Sequence, residues 1–262
     1  MSWIPSFKKP GGGSEYVPPE WSTGTDEEIA EALTKHYNDE IDLTEYWSIG
    51  DERVVSLPTA TSGSITYDAQ DVTLVLVNVG GKELVTPING HTECAFVIGQ
   101  KDCLNYLVAA GYSSKYGSND TYGWPGNSLK NGLNNSASEM SYYQRLPESF
   151  RSLLKLHNNY TANAYNASTA TKTEDYICLP SATELGYSAA VDEHTQMFTY
   201  YETVSNRNKI DVRNGSTYAI YWLSTKGTSQ KTMLCKNGNS TPNVTVSVTC
   251  TTEEALAPQM VI

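Results

Sequence analysis

Two periods of apolar residues divide the chain. In "TDEEIAEALTKHYNDEIDLTEYW", Ile29, Leu33 and Tyr37 fall at i, i+4 and i+8, the spacing that places side chains on one stripe of a helix. Thr25 and Glu28 form a capping box ahead of them and acids crowd the first turn, so a short amphipathic helix is predicted over about 25–37. From Tyr46 the texture turns to β. "VVSL" and the nearly continuous apolar run "VTLVLVNV" read as strands, and Gly80-Gly81 before "KELV" predicts a hairpin feeding the core. "CAFVIG" at 94–99 predicts a further buried strand.

Helical spacing returns in "SLKNGLNN" at 128–135 and "LPESFRSLLKLH" at 146–157, where Leu146, Phe150, Leu153, Leu154 and His157 keep to one side. Beyond residue 160 strands are short, the clearest being "TYAIYWL" at 217–223, "KTMLC" at 231–235 and "VTVSVT" at 244–249. "KNGN" at 236–239 is the strongest turn signal, because Asn-Gly supplies the positive φ that a tight hairpin needs. The pattern alone therefore predicts an α+β fold with a β-rich C-terminal half and no solenoid repeat. Residues 1–24 are Pro- and Gly-rich and read as an arm that orders only against something else. Trp3, Phe7 and Trp21 would be poor choices for a pure spacer, so docking is expected, onto a neighbouring protein or onto the chain's own domain.

Composition narrows the function classes. The 262 residues carry 18 Lys and Arg against 29 Asp and Glu, a net charge of −11, which disfavours nucleic acid and anionic membranes as partners. No run approaches a membrane span and the first residues lack an apolar export signal, so neither insertion nor Sec export is expected. Tyr numbers 18 against 4 Phe, rings with a polar tip that suit half-wet surfaces. The five cysteines, Cys94, Cys103, Cys178, Cys235 and Cys250, lack metal or redox spacing and read as buried thiols, with Cys235 and Cys250 able to meet across a C-terminal hairpin. His36, His91, His157 and His194 are scattered, so no metal is expected, and no nucleotide or acyl-transfer motif occurs. Glu139, Glu184, Asp192 and Glu193 are the candidates for a glycosidase pair, and in so acidic a chain they read first as solubilising residues. The N-x-S/T triplets at Asn159, Asn166, Asn214, Asn239 and Asn243 match what chance gives in a chain rich in these residues.

The blocks "EIDLTEYWSIGDERVVSL", "DVTLVLVNVGGKELVTPINGHTECAFVIGQKDCL", "LPESFRSLLK", "DYICLPSATELG", "YAIYWLS" and "APQMVI", in that order over about residues 40–262, resemble an uncharacterised domain family of bacteriophage and prophage tail-region proteins from gut anaerobes. The resemblance implies a virion protein whose C-terminal half is a C-type-lectin-like mixed fold ending in short antiparallel strands. It divides the chain into an arm with its helix over 1–44, serving attachment and assembly, and a lectin-like domain over 45–262. Where that family reads W-W-L-R-S, this chain has Tyr221-Trp222-Leu223-Ser224-Thr225, without the Arg. The Glu-Pro-Asn and Trp-Asn-Asp triplets of calcium-dependent lectins are absent too, so neither a metal nor any other cofactor is expected.

On this reading the protein is a non-enzymatic receptor-binding module, an adhesin exposed on the virion, whose ligand is a glycan or protein of the bacterial host surface. The alternatives are a virion structural or decoration protein without a ligand, and a tail-associated glycan-degrading enzyme. Ligand contact is expected from Tyr221, Thr225, Lys226, Asn237, Asn239 and Asn243, which flank predicted strands and are too polar to be buried without partners, while Trp222 is assigned to the core. The arm would dock onto other virion proteins, and the chain would form a symmetric homo-oligomer, a trimer first, so that weak sites act together.

Overall fold

The computed structural model describes residues 16–62, 65–103, 124–126, 128–162, 168–187, 192–207, 220–226, 232–237, 245–249 and 256–262. Its helices are α1 (Asp26–Tyr37), α2 (Ser128–Asn134), α3 (Tyr142–Arg145) and α4 (Glu148–Leu153). Its strands are β1 (Glu52–Leu57), β2 (Ala60–Ser62), β3 (Ile65–Tyr67), β4 (Gln70–Val79), β5 (Glu83–Ile88), β6 (His91–Glu93), β7 (Phe96–Gln100), β8 (His157–Ala162), β9 (Ala170–Asp175), β10 (Ile177–Cys178), β11 (Ile220–Lys226), β12 (Thr232–Asn237), β13 (Thr245–Thr249) and β14 (Gln259–Val261). Every strand pair among the described residues is antiparallel, and the fold is α+β.

The central sheet runs β1-β4-β7-β14-β10, and a second runs β6-β5-β8-β9. In the centre, β7 is buried throughout and Leu74–Val77 of β4 are fully buried, which is why both stretches read as continuous apolar runs rather than alternating ones. The expected hairpin at Gly80-Gly81 does not form. β4 pairs with β1 and β7, whereas β5 pairs with β6 and β8, so the turn passes the chain from one sheet to the other. The cause lies in Asn78, buried at a bulge in β4. Its amide donates to the carbonyls of Val79 (2.9 Å) and Gly80 (3.3 Å), and its oxygen accepts from Thr199 N (3.1 Å), turning the backbone out of the sheet. Gly81 has φ +86°, and a Cβ there would stand 2.8 Å from the Asn78 amide, so only glycine fits.

Helix α1 forms as its sequence predicts. Thr25 and Glu28 exchange the two bonds of a capping box, 2.9 and 3.2 Å, and Ile29, Leu33 and Tyr37 are buried. These three share one core with β4 and β7, so the expected boundary at 44/45 crosses packed interior. Residues 16–24 dock onto the chain's own body: Trp21 packs on Trp47 (5.7 Å between centroids), and Arg53 donates to the carbonyls of Trp21 and Gly24 and pairs with Asp26. Trp3 and Phe7 lie outside the described residues.

The C-terminal strand β14 inserts between β7 and β10, and the Tyr37 hydroxyl ties it to α1 by donating to Ile262 O (3.1 Å) while accepting from Ala95 N (2.9 Å). Burial pushes this phenol far above its ordinary pKa, so it remains a donor at every working pH. Tyr37→Phe removes a buried hydroxyl that donates to one backbone group and accepts from another, and should lower unfolding free energy by about 1–3 kcal/mol in urea titrations without changing the transition's slope.

Candidate functional site

Lys82 is the first residue past the Gly80-Gly81 turn, and it points inward, only 5% exposed. Its ammonium pairs with Glu184, which is fully buried, and lies 3.4 Å from Asn159 Oδ1. Burial acts to lower the Lys82 pKa, but the Glu184 carboxylate outweighs it and holds the ammonium above the ordinary lysine value. The sequence "SATE" places Glu184: Ser181 N donates to its Oε2 (3.0 Å), and its own N–H donates to Ser181 Oγ (3.2 Å). The capping-box spacing here closes a turn over Ala182–Gly186 and turns the carboxylate into the interior.

A second buried acid completes the centre. Glu193 accepts from Thr183 Oγ1 (2.7 Å) and Thr225 Oγ1 (2.5 Å), and Thr225 in turn accepts from Ala182 N (2.7 Å). Burial pushes the Glu193 carboxyl up, against the pull of the two hydroxyls. On the far side Asp175 accepts from Trp124 Nε1 (2.9 Å) and Thr173 Oγ1 (2.8 Å) and pairs with Lys130 (3.2 Å). His157, fully buried and near the Lys82 charge, has its pKa depressed to about 3 and is neutral. Such a centre can hold a proton or a charge out of water, and it can fix the strands that carry it.

The residues expected to touch ligand divide three ways. Tyr221 and Thr225 are corrected from exposed to buried: the Tyr221 hydroxyl donates to Arg207 O (2.8 Å), and Thr225 serves Glu193. Both are polar groups whose partners lie inside the protein, a solution that the sequence does not reveal. Lys226 and Asn237 stand at backbone positions opposite Met233 and Ile220 in the β11–β12 ladder. Asn239 and Asn243 lie outside the described residues, as does Cys250. The "KNGN" hairpin is also revised, because Lys236 pairs with Thr245, a register that a two-residue Asn-Gly turn cannot give. Cys235 stands opposite Val246, while Cys94, Cys103 and Cys178 are buried free thiols.

Of the four glycosidase candidates, Glu139 and Asp192 are exposed, and Glu184 and Glu193 belong to the buried centre. The histidines are dispersed: His194 stacks on Tyr160 (4.5 Å), and His36 and His91 sit 5.9 Å apart. Among the described residues no group of three His, Cys, Asp or Glu could hold a metal, and no helix is long and apolar enough to cross a membrane.

His36 and His91 do line an open cleft of about 640 Å³ at the C-terminal end of α1, a volume suited to a small ligand. Tyr16 and Tyr46 supply rings to it, and Asp39 and Asp42 supply acceptors. His91 Nε2 lies 3.2 Å from Asp39, and His36 Nδ1 accepts from Leu43 N (3.4 Å). Burial lowers the His36 pKa, so the imidazole is neutral at neutral pH. This cleft lies in the part of the chain read from sequence as an attachment helix, and nothing in a linear pattern joins residue 16 to residue 91.

A family described as a domain of unknown function (DUF6273) matches residues 101–260. No curated protein and no solved structure matches the chain. The matched span contains Asn159, Asp175, Glu184, Glu193 and Thr225 of the buried centre, but not Lys82 or the cleft.

Two outcomes follow from the buried centre. Thr225→Val keeps the shape of the side chain but strips Glu193 and Ala182 N of a partner, and should cost about 1–3 kcal/mol by chemical denaturation. For His157, the unfolded chain takes up a proton below its ordinary pKa of 6.5 while the folded chain does not until about 3. Stability from this group is therefore complete above pH 6.5 and falls as pH drops through that window, by about 1.4 kcal/mol per pH unit at the steepest. His157→Asn should flatten that part of the pH profile, measured by urea midpoints between pH 7 and pH 4.

Proposed function

The chain belongs to the DUF6273 family of domains of unknown function, and from that premise we propose that it is a non-enzymatic recognition module of a phage tail-region protein that binds a glycan of the bacterial host surface. The observation that carries this reading is the open cleft with Tyr16 and Tyr46 beside Asp39 and Asp42. Sugar rings present apolar faces that lie against aromatic rings and hydroxyls that donate to carboxylates, and this lining supplies both. Tyr46 is 42% exposed although it is a large aromatic, which suits a ring kept free for a ligand. The non-enzymatic part rests on Glu184 and Glu193, the converging acids, being enclosed and hydrogen-bonded where no polymer reaches them.

A lectin-like scaffold is in keeping with the return of β14 into the central sheet, between β7 and β10 and tied to helix α1, which brings both ends of the described chain onto one body. Asn239 and Asn243, which follow Asn237 in the sequence, remain proposed ligand contacts. Residues before 16 attach to other virion proteins, and a symmetric trimer multiplies weak sites by avidity.

The test uses the full chain and cell-wall polysaccharide from anaerobic gut bacteria. Binding should be saturable, no reducing ends should appear, and Tyr46→Ala should weaken binding about tenfold with an unchanged circular dichroism spectrum. Absence of binding, or binding indifferent to Tyr46→Ala, removes the glycan reading. Released sugar replaces it with a hydrolase.

A further inference from the structure

The buried centre contains a chemical arrangement that its role in packing leaves unused. Leu84 of β5 pairs with His157 of β8, and the antiparallel register carried two residues further sets Lys82 directly across from Asn159. The Lys82 nitrogen lies 3.4 Å from the Asn159 carbonyl oxygen, one bond from the carbon that a nucleophile would attack. Lys82, Asn159 and Glu184 are each more than nine-tenths buried. The Asn159 amide nitrogen has no hydrogen-bond partner among the described residues, an expensive position for a buried amide and the place of a leaving group. Glu184, in contact with the Lys82 nitrogen, is held by Ser181 N.

We propose that the folded protein joins the side chains of Lys82 and Asn159 by an intramolecular amide bond, with Glu184 carrying the proton and no other reagent required. Glu184 takes a proton from the Lys82 ammonium, which leaves a neutral amine and a carboxylic acid. The ion pair is the resting state, so this transfer is uphill and the minor neutral pair is the reactive one. The amine lone pair attacks Cγ of Asn159, and the Nζ–Cγ bond forms while the carbonyl π electrons move to Oδ1. The acid delivers its proton to Nδ2, the Cγ–Nδ2 bond breaks as the carbonyl re-forms, and ammonia leaves. The carboxylate takes back the remaining amine proton and gives it to the departing ammonia, which exits as ammonium. Atoms and charge balance: one lysine ammonium and one primary amide give one secondary amide and one ammonium ion.

Holding the two groups in register replaces a bimolecular encounter, and only folding brings them together across 77 positions of chain. The electrophile is Asn159 and not Glu184, since a carboxylate paired with its own lysine is a poor acceptor of a nucleophile. The product would clamp β5 to β8 covalently, a useful property in a protein that carries load between a particle and a cell. The inference does not depend on the glycan reading.

The experiment is mass spectrometry of the full chain after reduction and alkylation, intact and as a peptide map. The expected intact mass is one ammonia below that of the sequence, and the map should contain one branched peptide joining the segment of Lys82 to that of Asn159. Glu184→Gln should retain the ammonia and yield both peptides separately while keeping a folded circular dichroism spectrum. Asn159→Ala supplies the second variant if that one fails to fold, and it too should show no branch. An unshifted wild-type mass overturns the proposal. So does loss of water with Lys82 joined to Glu184, or an ammonia loss that maps to an Asn-Gly pair such as Asn89-Gly90 rather than to Asn159.

Discussion

The interior of this protein turns on one ion pair, Lys82 with Glu184, placed where water cannot reach. Burying two charges costs several kcal/mol each, and mutual attraction offsets that only when geometry and supporting hydrogen bonds are good. The supports are visible here. Ser181 holds Glu184, the Asn78 amide and the Gly80-Gly81 turn deliver Lys82, and Glu193 adds a second carboxyl bound by Thr183 and Thr225. Each belongs to a different segment of chain, so the pair forms only when the turn after β4, the 181–186 turn and strand β11 have all arrived.

A second closure operates at the other side of the central sheet. Tyr37 binds the last residue, Ile262, and Ala95, which links α1, β14 and the approach to β7 through a single hydroxyl. Between these two points β7 and the middle of β4 are buried on both faces. Polar specificity at the rim and in one internal centre, with hydrophobic bulk between, gives the fold a unique register that apolar packing alone would not select.

Local signals in the sequence were readable where the physics is local. The capping box of α1 works as its residues imply, and the apolar runs at 72–79 and 94–99 are buried strands. Gly80-Gly81 was legible as a turn but not as a transfer between sheets, because the deciding partner, Thr199, lies 121 positions away from Asn78. Polar residues misled for the same reason. Tyr221, Thr225, Glu184 and Glu193 look like surface in a chain of net charge −11, and only the fold supplies the partners that let them be buried. The cleft lined by Tyr16, Tyr46 and His91 is likewise an assembly of distant positions.

The most direct measurement is a double-mutant cycle on the central pair in an Asn159→Ala background, where no amide can form, with Lys82→Met, Glu184→Leu and the double variant compared with that parent by equilibrium unfolding. Each single change strands a buried charge and should cost about 3–5 kcal/mol, whereas the double should cost clearly less than the sum, since replacing both partners with apolar side chains leaves no charge uncompensated. Strictly additive losses would show that the two residues do not depend on each other, and would contradict an interior organised around their pairing.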